Sequence, residues 1–145
     1  FERIFLLDKK NRYVGAKIRT GSFTSTDIEL QSVEMDGSLT QTPEFPYNWM
    51  YDGSRPQMPG FEMEITCKSL FLIFKDSGEM DVGKADVFVN DVYCMTADPH
   101  KNNWLHCNAV LLFWETESRS HKVRITVTEE DQNKKFTILG FGYTI

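Results

Sequence analysis

Apolar residues in this chain recur at every second position or in short solid runs, and almost nowhere with the three-and-four spacing of an amphipathic helix. That pattern commits the chain to strands. Phe61-Glu62-Met63-Glu64-Ile65-Thr66-Cys67 alternates, with Phe61, Met63, Ile65 and Cys67 on one face and a wet face opposite. Leu70-Phe71-Leu72-Ile73-Phe74 is apolar on both faces between polar boundaries and reads as a central strand buried on both sides. Ala85–Val89 and Val92–Met95 flank Asn90-Asp91, two residue types that tolerate positive φ, which predicts a tight β-hairpin. His121–Thr128 alternates again, with Val123, Ile125 and Val127 inward and Lys122, Arg124, Thr126 and Thr128 toward water. Its expected partner is the closing run Phe136–Ile145, reached through the polar turn Glu129–Lys134. Gly140 and Gly142 in that run predict a bulge or a close backbone approach.

The first third is less regular. Arg3–Leu7, Tyr13–Ile18 and Asp27–Val33 are strand-like but interrupted, and Thr40–Gly60 holds four of the five prolines, which predicts a long irregular connection. Asn108–Glu117 is the one stretch where a helix competes, but its solid run Val110–Trp114 fits a buried strand better, with Trp114 as a core plug. Many short strands, polar turns and few helix signals over 145 residues predict an all-β fold, an antiparallel β-sandwich of jelly-roll type, with a closed barrel as the alternative that strand periodicity does not distinguish. One such domain over residues 1–145 is expected, excised from a larger protein.

Composition narrows the function. With 41% apolar residues the chain closes one core without staples. Sixteen Lys and Arg stand against 21 Asp and Glu, a net charge of −5 that excludes a basic nucleic-acid binder. No apolar run approaches the roughly 18 residues of a membrane span. Three cysteines, Cys67, Cys94 and Cys107, contain no CxxC pair; they allow at most one disulfide and read as half-buried thiols packing as small hydrophobes.

No assembled catalytic group emerges. There is neither a GxSxG elbow nor a Gly-Asp-Ser block, and Asp36-Gly37-Ser38 and Asp52-Gly53-Ser54 are turn sequences. His106 and Cys107 are adjacent, so in a strand they point to opposite faces and cannot share a proton. His100, His106 and His121 lack the spacing that puts two imidazoles on one metal. No cofactor is expected. The acidic stretches Asp76–Asp81 and Glu129–Asp131 read as solvated turns, with a structural calcium as the alternative.

The aromatics carry the functional signal. Tyr47-Asn48-Trp49-Met50-Tyr51 puts Tyr47, Trp49 and Tyr51 on one face when extended, beside Asp52, Arg55 and Gln57. Rings stack on the C–H faces of pyranoses while amides, carboxylates and guanidinium groups fix the hydroxyls. Asn102, Asn103 and Trp104 form a second candidate, a polar loop ending in an indole. These nine residues are the expected carbohydrate-binding set, with a polysaccharide or oligosaccharide as ligand; for Trp49 and Trp104 the alternative is a core plug between the sheets.

The blocks Asn103–Val110, His121–Ile125 and Lys135–Tyr143 resemble the non-catalytic β-sandwich that accompanies SGNH/GDSL-type esterases of gut and rumen clostridia. The resemblance spans about Trp49 to Tyr143 and extends to the jelly-roll half of two-domain esterases that deacetylate plant polysaccharides. It implies an accessory module working with an appended catalytic domain, outside the cell on plant cell-wall polysaccharide. Without a leader peptide on the full-length protein, the module would work in the cytoplasm on soluble oligosaccharides. The alternative it implies is a domain that binds no sugar and packs on an SGNH esterase, shaping its active-site mouth.

Overall fold

The computed structural model describes residues 3–29, 45–101 and 106–145, the side chain of His106 excepted. Eight antiparallel strands account for nearly all its regular structure: β1 (Phe5–Leu7), β2 (Ala16–Arg19), β3 (Trp49–Tyr51), β4 (Phe61–Asp76), β5 (Ala85–Val89), β6 (Val92–Ala97), β7 (His106–Val127) and β8 (Phe136–Thr144). A short 3-10 turn over Glu129–Asp131 precedes β8.

The strands form one hydrogen-bonded path, β1-β8-β4-β7-β5-β6, with β2 added to β4 and β3 to β8. The two long strands, β4 and β7, run through both layers of the sandwich. In the first layer the N-terminal half of β4 lies between β2 and the C-terminal half of β7, followed by β5 and β6. In the second layer the C-terminal half of β4 lies between β8 and the N-terminal half of β7, with β1 and β3 beyond β8. The ribbon changes layer where Cys67 pairs with Arg119 but Ser69 pairs with Trp114, so that Glu115–Ser118 stand opposite Lys68 alone.

Ring contacts prove the closure. Phe141 pairs with Leu72 on β4, yet its ring stacks on that of Phe61, 5.7 Å away. Along a straight strand Phe61 and Leu72 would be about 36 Å apart at 3.3 Å per residue, so β4 bends back over the core. The interior holds Phe23, Trp49, Phe61, Leu72, Phe136, Ile138 and Phe141 from both layers. The fold is an antiparallel β-sandwich of jelly-roll type.

The structure meets several expectations and corrects others. Asn90 and Asp91 adopt φ of 52° and 64°, as a two-residue hairpin turn requires. A register shift falls between Ile73 and Phe74 opposite Gly140, where an added Cβ would lie 3.0 Å from the Leu7 carbonyl oxygen. The two runs at 61–67 and 70–74 are one strand, because a bulge lets the alternation slip without breaking the ladder. The closing run pairs with β1, β3 and β4, whereas the 121–127 stretch pairs with β4 and β5. Within the proline-rich connection, Trp49–Tyr51 forms a strand against β8. Residues 27–29 lie outside any strand, and residues 30–44, including Asp36-Gly37-Ser38, lie outside the described residues. Thr128, expected to face water, is buried. Cys67, Cys94 and Cys107 are in no disulfide among the described residues.

Candidate functional site

The expected aromatic platform does not assemble on the surface. Trp49 pairs with Ile138 and Tyr51 with Phe136, so these rings share one face as the alternation required, but it is the inner face. Trp49 is 3% exposed and packs on Phe61 and Phe141 at centroid distances of 5.2 and 6.1 Å. Tyr51 is buried and donates its hydroxyl to the Gln132 carbonyl oxygen. Neither offers a face to a sugar, because burying a large ring between the layers outweighs leaving it wet. Tyr47 precedes the strand, is 40% exposed, and carries the Lys10 ammonium 5.1 Å over its ring. Asp52 is half-buried and accepts from Ser25 and Ser54, contacts that lower its pKa to about 2. Arg55 and Gln57 are exposed. Asn102, Asn103 and Trp104 lie outside the described residues.

Cys67 and Cys94 do not resemble activated nucleophiles. Burial, with the nearby Glu115 charge, pushes Cys67 up to about 11, and burial raises Cys94. An activated thiol needs the opposite shift. Among the described residues no three His, Cys, Asp or Glu side chains gather as a metal site. Asp131 faces the Lys84 amide, Thr128 and Lys134, and Asp76 accepts from Asn108.

Rings beside polar groups occur instead on the outer face of the first layer. Strand pairing places Tyr93, Phe88, Arg124, Glu62 and Arg19 in one row across β6, β5, β7, β4 and β2. The Arg124 guanidinium lies 4.1 Å over the Phe88 ring, and Tyr93 meets Phe88 edge-on at 6.0 Å. In the next row Thr96, Asp86 and Thr126 are paired. Thr96 donates to Asp86 at 2.6 Å, so the Tyr93 hydroxyl, 2.7 Å away, donates to Thr96. Tyr93 remains 56% exposed. Two clefts meet at Glu62: one of about 520 Å³ bounded by Gly60, Arg124 and Thr126, another of about 280 Å³ bounded by Arg19, Glu64 and Lys122. The sequence signalled that Arg124 and Thr126 face outward, but the cross-strand row depends on registers between strands up to a hundred residues apart.

The outer face of the second layer is different in kind. Leu6, Gly142, Phe71 and Leu111 form one paired row, Gly140, Ile73 and Ala109 the next, and Trp114 pairs with Ser69. At the two glycines an added Cβ would meet Leu6 at 3.2 Å and Ile4 at 3.1 Å, so the absence of a side chain lets these residues pack down on β8. Trp114, expected as a core plug, is 76% exposed. The cause is a bulge: Leu70 pairs with Phe113 but Phe71 with Leu111, so skipping Leu112 turns Leu111 and Trp114 to the same outer side.

A two-layer all-β sandwich with a polar, ring-bearing sheet face and an apolar one is the class these observations define. No protein-family model matches the chain, and no curated protein matches it. Solved structures do share its fold. A two-domain esterase active on acetylated mannans, co-crystallised with mannopentaose, is similar with a TM-score of 0.64 and 12% identity over 98% of this chain and 37% of its own. A family two carbohydrate esterase from Cellvibrio japonicus matches with a TM-score of 0.54 and 12% identity, over 99% of this chain and 34% of its own. An acetyl xylan esterase from the rumen bacterium Butyrivibrio proteoclasticus gives 0.50 and 14%, over 97% and 32%. The chain thus spans about a third of the length of these esterases, and the resemblance read from the sequence holds at the level of fold. No helix among the described residues is long and apolar enough to cross a membrane.

Proposed function

We propose that this domain is a non-catalytic carbohydrate-binding module that holds an appended esterase or glycanase against plant-type polysaccharide outside the cell, with the glycan lying across the outer face of the first layer. The observation that carries this reading is the row Tyr93–Phe88–Arg124–Glu62–Arg19, in which rings, guanidinium groups and a carboxylate alternate on a flat sheet and continue into clefts on either side of Glu62. Tyr93 and Phe88 supply apolar surface for pyranose C–H groups, and Arg124, Glu62, Asp86 and Thr126 supply donors and acceptors for hydroxyls. The shared fold with esterases of acetylated mannan and xylan supports glycan as the ligand class. Affinity electrophoresis against xylan, mannan, β-glucan and pectin tests it. Retardation on at least one polymer, lost in Tyr93→Ala and weakened about tenfold in Arg124→Gln, is expected; no retardation on any of them overturns the reading.

A second reading, favoured by the flat apolar face around Phe71, Leu111 and Trp114, is that the domain packs against its catalytic partner. Large exposed apolar patches mark interaction surfaces. The two readings use opposite faces of the sandwich.

A further inference from the structure

The third feature of the surface lies at the open edge of the sandwich, where β2 of one layer parts from β1 and β3 of the other. A cleft of about 480 Å³ opens there. Leu7, Ala16, Ile18 and Trp49 give it an apolar lining, and Lys9 and Arg12 stand in its wall. These cations belong to the basic segment Lys9-Lys10-Asn11-Arg12, on a chain whose net charge is −5. Asp8 lines the same cleft, but its carboxylate is engaged by the backbone amides of Lys10 and Asn11 and by the Asn11 side chain rather than paired with either cation, so two cations stand there against one carboxylate. Among the described residues neither Lys9 nor Arg12 enters an ion pair. The Lys9 ammonium hydrogen-bonds only neutral oxygens, Thr26 Oγ1 at 2.7 Å and the Ser25 carbonyl at 3.5 Å, and burial lowers its pKa.

We propose that this cleft binds a small aromatic carboxylate. An apolar cavity of about 150 Å³ holds a benzene ring, so this cleft accommodates a ring with a short acid side chain, within the range usual for small-molecule sites. The ring lies against Leu7, Ala16, Ile18 and the edge of Trp49. Its carboxylate takes the guanidinium fork of Arg12 and the ammonium of Lys9, neither of which is paired with a carboxylate among the described residues. This inference does not rest on the glycan reading, although Ile18 lines both this cleft and the smaller one beside Glu62.

Calorimetry on the intact chain with sodium cinnamate, and with cinnamyl alcohol as its neutral counterpart, tests the proposal. Cinnamate binds, the alcohol binds about tenfold more weakly or not at all, and Arg12→Gln weakens cinnamate about tenfold. Arg12 is exposed, so that variant does not threaten folding. Tyr93→Ala leaves cinnamate binding as it is, which separates this site from the glycan face. Equal binding of acid and alcohol, unchanged affinity in Arg12→Gln, or no heat with cinnamate into the millimolar range overturns it.

Discussion

Asp27 and Lys75 form a buried ion pair at 2.9 Å, with side chains 7% and 10% exposed, and Thr137 donates to the same carboxylate oxygen. Burial alone would raise the Asp27 pKa, but the hydrogen bonds and charge of Lys75, with Thr137 and the Glu29 amide, hold it below the ordinary carboxylate value. Replacing Lys75 with Met strands a buried carboxylate and costs about 3–5 kcal/mol in a chemical denaturation curve. The same group, with Asp52 at about 2 and Asp131 also held below the ordinary carboxylate value, contributes to the acid limit of the fold. A carboxyl whose folded pKa is depressed stabilises fully above its unfolded pKa of about 3.9 and loses that contribution as pH falls through the folded value. The melting temperature is therefore flat from neutrality to about pH 4 and falls below it, and Asp52→Asn lowers the neutral plateau and makes the acid decline shallower. Neither pairing was legible in the sequence. Asp27 and Lys75 are 48 positions apart, and only the sandwich sets them face to face.

Local chemistry governs the elements more directly. The β5–β6 hairpin was readable from Asn90-Asp91 because positive φ is a property of two residues and needs no distant partner. Asn90 does more than turn the chain: its Oδ1 accepts the Lys122 amide at 2.9 Å, which orients its Nδ2 toward His121 Nδ1 at 3.0 Å. These bonds tie the hairpin tip to β7. Asn90→Ala removes both and puts a Cβ-bearing residue without side-chain compensation at φ 52°, for an expected loss of about 2–4 kcal/mol by denaturant titration. Asn90→Gly relieves the backbone part and retains only the loss of the two bonds. A smaller loss in Asn90→Gly than in Asn90→Ala checks that division. The pairing of β8 with β4 rather than β7 could not be read this way, since both strands alternate suitably and the choice rests on how β4 bends.

At the scale of the whole molecule the two outer faces differ because of bulges. The shift at Leu112 exposes Trp114 and Leu111, and the longer insertion at Glu115–Ser118 carries β7 into the other layer, where its outward residues are polar. On the packing reading, this isolated domain self-associates weakly through the apolar face. Trp114→Ser with Leu111→Ser makes it monomeric in sedimentation velocity without lowering its melting temperature by more than a few degrees, since both side chains are exposed. Self-association that persists in the double variant argues against that use of the face.

Period-two hydrophobicity, turn residues and net charge are local or additive properties, and they alone determined that this chain is acidic and all-β with a tight hairpin at Asn90-Asp91, whereas the choice of a sandwich over a closed barrel rests on strand order and was made by the tertiary structure. Which side of each strand faces the core, and which rings are left in water, depends on register and on where the ladder bulges. A one-residue slip reverses every side chain beyond it. That is why Trp49 and Tyr51 were placed correctly on one face yet lie inside, and why Trp114, read as core, lies outside: only the closed structure fixes the sum of such slips.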